Sequence, residues 1–351
     1  MSRPDRETSP TTHNQVVLAE TARALVANGK GILAADESTG TIKKRFDAIG
    51  VESTEETRRA YRELLFTADG IEKWISGVIL FDETIRQSAS DGTPFPQLLE
   101  AKGIIPGIKV DKGAKPLALA PGETVTEGLD GLRERFEEYR ELGARFAKWR
   151  GVYSIGEGRP SEYAVWTNAH ALARYAALAQ EAGLVPIVEP EVLMDGTHTI
   201  DEAYHVTSRV QHAVFTELRD QRVELEGLLL KPNMVLAGYD APQQASVEEV
   251  AAATIRCLRH HVPAAVPGIV FLSGGQSDEL ATQHLDAINK LGKQPWELSF
   301  SYGRALQAPA QRAWAGSADN VAAAQQAFLK RAQLNALAHS AQYSPALERS
   351  A

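Results

Sequence analysis

The chain has 351 residues, of which 44% are hydrophobic and 23% charged, and its net charge is −8. That length fits two ordinary domains, or one large α/β barrel of about 250 residues with extensions. The balance is that of a soluble globular protein, with no overall basic field to attract nucleic acid. The single cysteine, Cys257, excludes an intramolecular disulfide, and no apolar run approaches the roughly 20 residues of a membrane span.

Residues 1–15 are polar and include Asp5 and Glu7. They lack the apolar core of a secretion signal and the arginine-rich, acid-poor character of a transit peptide, so a cytoplasmic location is expected. Residues 1–30 are expected to form a helical lead-in. Eight short apolar segments with strand character follow, at 31–36, 77–82, 106–111, 145–151, 185–191, 227–233, 268–274 and 297–303. They are rich in Val, Ile, Leu and Phe, and glycine or proline bounds many of them. Helical patterns lie between them, over 128–143, 161–183, 246–262 and 277–292. The last three open on a serine cap, and Ser246 with Glu249 forms a capping box. An alanine-rich helix is expected over 305–340.

Strand and helix alternating eight times implies a parallel sheet, and eight repeats point to a closed (β/α)8 barrel with N- and C-terminal helical extensions. The alternative is a doubly wound open sheet. No Gly-x-Gly-x-x-Gly follows the first strand, which weakens a dinucleotide-binding version. No linker marks a second domain, so residues 1–351 read as one.

In such a barrel the carboxyl ends of the strands form the active-site rim. Unusual polar residues crowd those ends. The first strand ends in Asp36-Glu37-Ser38. The third carries Lys109 and Asp111 on one face, the fourth Lys148 and Arg150, and the fifth Glu189 and Glu191. The sixth ends in Lys231, after Leu228-Leu229-Leu230 and before Pro232-Asn233. The seventh ends in Ser273-Gly274-Gly275 and the eighth in Ser301-Tyr302-Gly303-Arg304. Period-two alternation turns each same-parity pair inward together. Uncompensated buried charges would unfold the protein, so this convergence reads as a functional site.

Lys231 closes an apolar run and shares its face with Leu229. Burial favours the neutral amine, which attacks carbonyls and starts Schiff-base chemistry. Lys148 lies near enough across a narrow barrel to repel it, and repulsion and burial are expected to lower both amines from the reference of ~10.4. Glu189 and Glu191 are placed to hold the lysines and shuttle protons. Glu189 is the choice for the donor that dehydrates a carbinolamine, and Asp36 is placed to take a hydroxyl proton. The Ser273-Gly274-Gly275 turn and Gly303-Arg304 read as one anion site. Ser38 and Lys109 mark a second across the mouth, so a linear substrate with phosphate at both ends is expected. The nine histidines lie mostly in helical patterns and none ends a strand, so no metal or other cofactor is expected.

The chain resembles class I fructose-bisphosphate aldolase over residues 14–343. The resemblance rests on seven motifs in order: GKGILAADESTG at 29–40, GIKVDKG at 107–113, FAKWR at 146–150, VPIVEPE at 185–191, LLKPNM at 229–234, FLSGGQS at 271–277 and FSYGRALQ at 300–307. It implies reversible cleavage of fructose 1,6-bisphosphate to dihydroxyacetone phosphate and glyceraldehyde 3-phosphate. Lys231 matches the family's Schiff-base lysine, and Asp36, Lys148 and Glu189 match its proton-handling residues. Glu191 matches a carboxylate that pairs with the active-site lysines. Ser273, Gly274, Gly303 and Arg304 match the ketone-side phosphate site. Ser38, Thr41 and Lys109 match the aldehyde-side region, where serine often replaces Thr41. Arg150 and Ser301 match further substrate contacts, and Asp130 matches an aspartate of a homotetramer interface. Many members end in a mobile tail whose last residue is a tyrosine. This chain ends in Ser350-Ala351 and its last tyrosine is Tyr343, so enamine protonation is expected to depend less on a mobile tail. Two other readings stand beside this one: an inactive barrel serving as a protein-binding scaffold, and an aldolase preferring fructose 1-phosphate or sedoheptulose bisphosphate.

Overall fold

The computed structural model describes residues 10–349. Eight parallel strands close into a barrel: β1 (Gly31–Ala35), β2 (Ile75–Leu80), β3 (Ile105–Lys109), β6 (Phe146–Tyr153), β7 (Val185–Val192), β8 (Leu229–Leu230), β9 (Gly268–Phe271) and β10 (Glu297–Tyr302). Two short strands, β4 (Ala114–Pro116) and β5 (Thr124–Thr126), form a separate antiparallel hairpin after β3. The ring closes where Ile32 and Leu33 of β1 pair with Ser301 and Tyr302 of β10. Each expected strand segment overlaps one barrel strand.

Period-two alternation decides which side chains meet. Ile32, Ala34, Ile79, Phe146, Val185, Ile187, Leu229 and Val270 point into the barrel and pack with Leu18, Ala22, Leu25 and Val26 from the N-terminal helix Pro10–Leu25 and the residue after it. That helix therefore plugs the end where the strands start. Gly107 and Gly77 leave room for the Phe146 ring, which a Cβ at either position would crowd. Burying that ring stabilises the fold by roughly 1.5–3 kcal/mol. The alternate residues, such as Leu33, Val78, Ile108, Trp149, Val188 and Phe271, face the surrounding helices in the larger core.

The expected caps form. Ser161, Ser246 and Ser277 accept from Ala164 N, Glu249 N and Leu280 N at the starts of helices Glu162–Glu181, Val247–His261 and Asp278–Lys290. The other boundaries depart from the sequence reading for physical reasons. β8 is only two residues long, because Pro232 has no N–H to continue the ladder. The helix expected from 128 begins at Leu132, after Gly131 at φ 65°, because the chain before it is tied to the hairpin base through Lys112 N donating to Glu127 O at 2.8 Å. The alanine-rich stretch is two helices, Arg304–Trp314 and Val321–His339. The break is at Ala315 and Gly316, both with positive φ. Of the expected N-terminal lead-in, residues 1–9 lie outside the described residues.

Candidate active site

One cavity of about 740 Å³ opens at the carboxyl ends of the barrel strands. Every candidate residue named from the sequence lines it: Asp36, Ser38, Thr41, Lys109, Lys148, Arg150, Glu189, Glu191, Lys231, Ser273, Gly274, Ser301, Gly303 and Arg304. They reach it from seven of the eight barrel strands or from the turns and first helical residues that follow them, because the last inward position of each strand faces the same mouth.

Lys231 is held by the segment that carries it. Its N–H donates to Val188 O at 2.8 Å, extending the β7 ladder by one residue. Pro232 O accepts from Leu272 N at 3.1 Å on the other side. The next residues run buried without regular structure, so their polar groups need partners from side chains. Asn233 Oδ1 accepts from Val192 N at 2.9 Å, and Val235 N donates to Thr254 Oγ1 at 2.9 Å. The lysine itself is 4% exposed.

Glu189 stands between the two buried lysines. Its Oε1 lies 3.5 Å from Lys231 Nζ and its Oε2 lies 3.4 Å from Lys148 Nζ. Lys148 Nζ also meets Asp36 Oδ2 at 2.7 Å. Burial pushes the Asp36 carboxyl up, but the charges of Lys148 and Lys231 outweigh it and hold the group well below the usual carboxylate range. Lys148 corrects the sequence reading. Burial pulls its pKa down, as expected, but Asp36, Glu189 and Asp111 together hold it well above the ordinary lysine value. It is a fixed ammonium, because the carboxylates facing it outweigh its desolvation.

Glu191 brings a second correction. It pairs with the Arg150 guanidinium rather than with a lysine. It sits two residues beyond Glu189 on β7, about 7 Å further toward the mouth. Lys109 lies 3.5 Å from Asp111 Oδ1 and over the Phe81 ring at 5.9 Å. Ser38 caps the helix Thr39–Asp47 by accepting from Thr41 N at 3.4 Å, so both hydroxyls sit at a helix N-terminus. Across the cavity, Gly274 and Gly275 adopt φ 58° and 93°. Ser301 Oγ is buried there without a hydrogen-bond partner.

Three polar lining residues escaped the sequence reading: Arg45, Asp195 and Tyr239. Arg45 had a signal, since it lies four residues after Thr41 on the same helix face. Its guanidinium meets Glu37, which also meets buried Arg62 at 3.0 Å. Asp195 and Tyr239 follow irregular segments where no periodicity assigns a direction. Among the described residues, no group of three or more His, Cys, Asp or Glu is arranged to hold a metal ion. No helix there is long and apolar enough to cross a membrane.

The family model for class I fructose-bisphosphate aldolase matches residues 17–351. The probable fructose-bisphosphate aldolase class 1 of Xanthomonas axonopodis pv. citri is 60% identical over 92% of this chain and 96% of its own length. Fructose-bisphosphate aldolase 1 of Toxoplasma gondii is 56% identical over 93% and 90%. The fructose-bisphosphate aldolase of Plasmodium falciparum, solved in a ternary complex with TRAP and a small-molecule inhibitor, superposes with a TM-score of 0.94. It is 51% identical and covers 95% of this chain and 96% of that one.

Proposed function

The chain belongs to the class I fructose-bisphosphate aldolase family and is a lyase that cleaves fructose 1,6-bisphosphate; we propose that it does so through a Schiff base on Lys231. The observation that carries this reading is one carboxylate, Glu189, with its two oxygens turned to two buried lysines at 3.5 and 3.4 Å. Anion-binding groups flank that trio on both sides of the cavity.

In this reading the Lys231 amine attacks the substrate ketone. Glu189 passes a proton to the carbinolamine hydroxyl so that it leaves as water, and the iminium then withdraws electrons from the neighbouring carbons. Asp36, held as a carboxylate, takes the proton of the hydroxyl on the far carbon of the breaking bond; that oxygen becomes the aldehyde carbonyl, the bonding pair flows into the iminium, and glyceraldehyde 3-phosphate departs. The enamine left on Lys231 is protonated and hydrolysed to dihydroxyacetone phosphate. Lys148, held as an ammonium, steadies negative charge as it develops. Ser273, Gly274, Ser301, Gly303 and Arg304 hold the ketone-side phosphate, and Ser38, Thr41 and Lys109 the other. Glu191 and Arg150 form a charged pair at the mouth that positions the sugar hydroxyls.

Single-turnover kinetics separate the two carboxylates. Glu189→Gln is expected to slow formation of the covalent adduct by 10²-fold or more. Asp36→Asn is expected to form the adduct and fail to cleave it. Equal loss of both steps in both variants would refute this division. We propose further that the protein works in the cytoplasm as a homotetramer with Asp130 in the interface. Exposed Leu119, Tyr163 and Trp166 supply apolar surface suited to partner subunits. Light scattering on a size-exclusion column reads the assembly state, and a monomer at micromolar concentration would refute it.

A further inference from the structure

Tyr239 has no part in the chemistry above, yet it joins the Lys231 segment to the glycine turn after β9. Its own backbone is fixed: Tyr239 N donates to Met194 O at 2.9 Å, and the flanking Gly238 and Asp240 N–H groups donate to His198 O and Gly196 O at 2.8 and 2.9 Å. From this anchored position its hydroxyl donates to Gly274 O at 2.8 Å, with Met194 Sδ 3.2 Å away.

The bond matters because of what it touches. Gly274 and Gly275 are consecutive glycines with positive φ, and neither has a Cβ to restrict rotation of the peptide between them. A trans peptide is planar, so its C=O and N–H point in opposite directions. Fixing the Gly274 carbonyl on Tyr239 therefore fixes the Gly275 N–H away from the phenol. Among the described residues, the N–H groups of Gly274 and Gly275 donate to no protein acceptor. Arg304 Nη2 lies against Gly275, where an added Cβ would meet it at 2.8 Å.

We propose that Tyr239 is a positioning residue for the ketone-side phosphate: its hydroxyl selects the one orientation of the Gly274–Gly275 peptide that presents the free Gly275 N–H to a phosphate dianion. The effect is on binding of the phosphorylated ketone and not on the lysine chemistry. This rests on the Schiff-base reading, and the test separates the two.

The variant is Tyr239→Phe, which keeps the ring and removes the hydroxyl. Borohydride trapping is measured against concentration for dihydroxyacetone phosphate and for dihydroxyacetone, which lacks the phosphate. Inorganic phosphate is titrated as a competitor of cleavage. Losing one neutral hydrogen bond corresponds to about fivefold. The expected result is half-saturation by dihydroxyacetone phosphate, KM for fructose 1,6-bisphosphate and Ki for phosphate all rising about fivefold, with kcat within twofold and dihydroxyacetone unchanged. Unchanged phosphate affinity overturns the proposal. Equal weakening of both ketones also overturns it, because the phenol would then act on the lysine segment. Failure of the wild-type protein to trap either ketone refutes the Schiff-base reading itself and is seen before the variant is made.

Discussion

Replacing Lys148 with methionine removes the charge on which buried Glu189 and largely buried Asp36 depend. Its Nζ lies 2.7 Å from Asp36 and 3.4 Å from Glu189. Removing one partner of a buried ion pair costs about 3–5 kcal/mol, because the remaining charge is left uncompensated. Glu189 keeps Lys231 at 3.5 Å, so the loss falls mainly on Asp36 and the lower end, about 3 kcal/mol at pH 7, is expected. In the wild type, Asp36 has a folded pKa depressed below its unfolded value of 3.8. Its stabilising contribution is therefore present above that value and lost only as pH falls below it. Without Lys148, burial raises the Asp36 carboxyl, so it takes up a proton earlier. The stability gap between wild type and Lys148→Met should therefore shrink as pH is lowered from 7 toward 4.5. Urea unfolding followed by tryptophan fluorescence at fixed protein concentration measures it. A gap under 1 kcal/mol at pH 7, or one that widens on acidification, would refute the reasoning. Turnover should fall by 10²-fold or more, the scale for losing one preorganised charge.

Two further predictions follow from the same accounting of charge. Because Asp36 is held far below 3.8, wild-type stability should drop on acidification below about pH 4, and Asp36→Asn should remove part of that drop. A pH-stability curve of the same shape for both proteins would contradict it. The C-terminal segment gives the second. Glu348 makes a two-oxygen contact with buried Arg331 at 2.7 Å and accepts from Tyr343 Oη at 2.9 Å. Deleting 345–351 strands that guanidinium and should cost about 3 kcal/mol, while proton exchange on dihydroxyacetone phosphate, measured at a temperature where the variant stays folded, should persist. A large loss of exchange in the folded variant would show that the tail does act on the enamine.

The barrel was legible because its strands are apolar runs bounded by breakers, and because alternation is rigid enough to carry side-chain direction. Lys148, Glu189 and Lys231 share a cavity for that reason alone. What was not legible depends on neighbours distant in the chain. The charge state of Lys148 is set by Asp36, Glu189 and Asp111, which together outweigh its own burial, and the sequence gives no distances among them. Glu191 reads as a twin of Glu189 by parity, but its height along β7 gives it to Arg150. Tyr239, 43% exposed, follows a buried segment without a period that is held by Thr254 and by carbonyls of the loop after β7. The hairpin at 114–126 is three exposed residues on one side, too few to show a pattern.

The account stands most directly on where substrate becomes covalently fixed. Wild-type protein incubated with dihydroxyacetone phosphate, reduced with borohydride and digested, should show by mass spectrometry one reduced adduct, on the peptide containing Lys231. An adduct on the Lys148 or Lys109 peptide instead, or no adduct while the enzyme turns over, would contradict it.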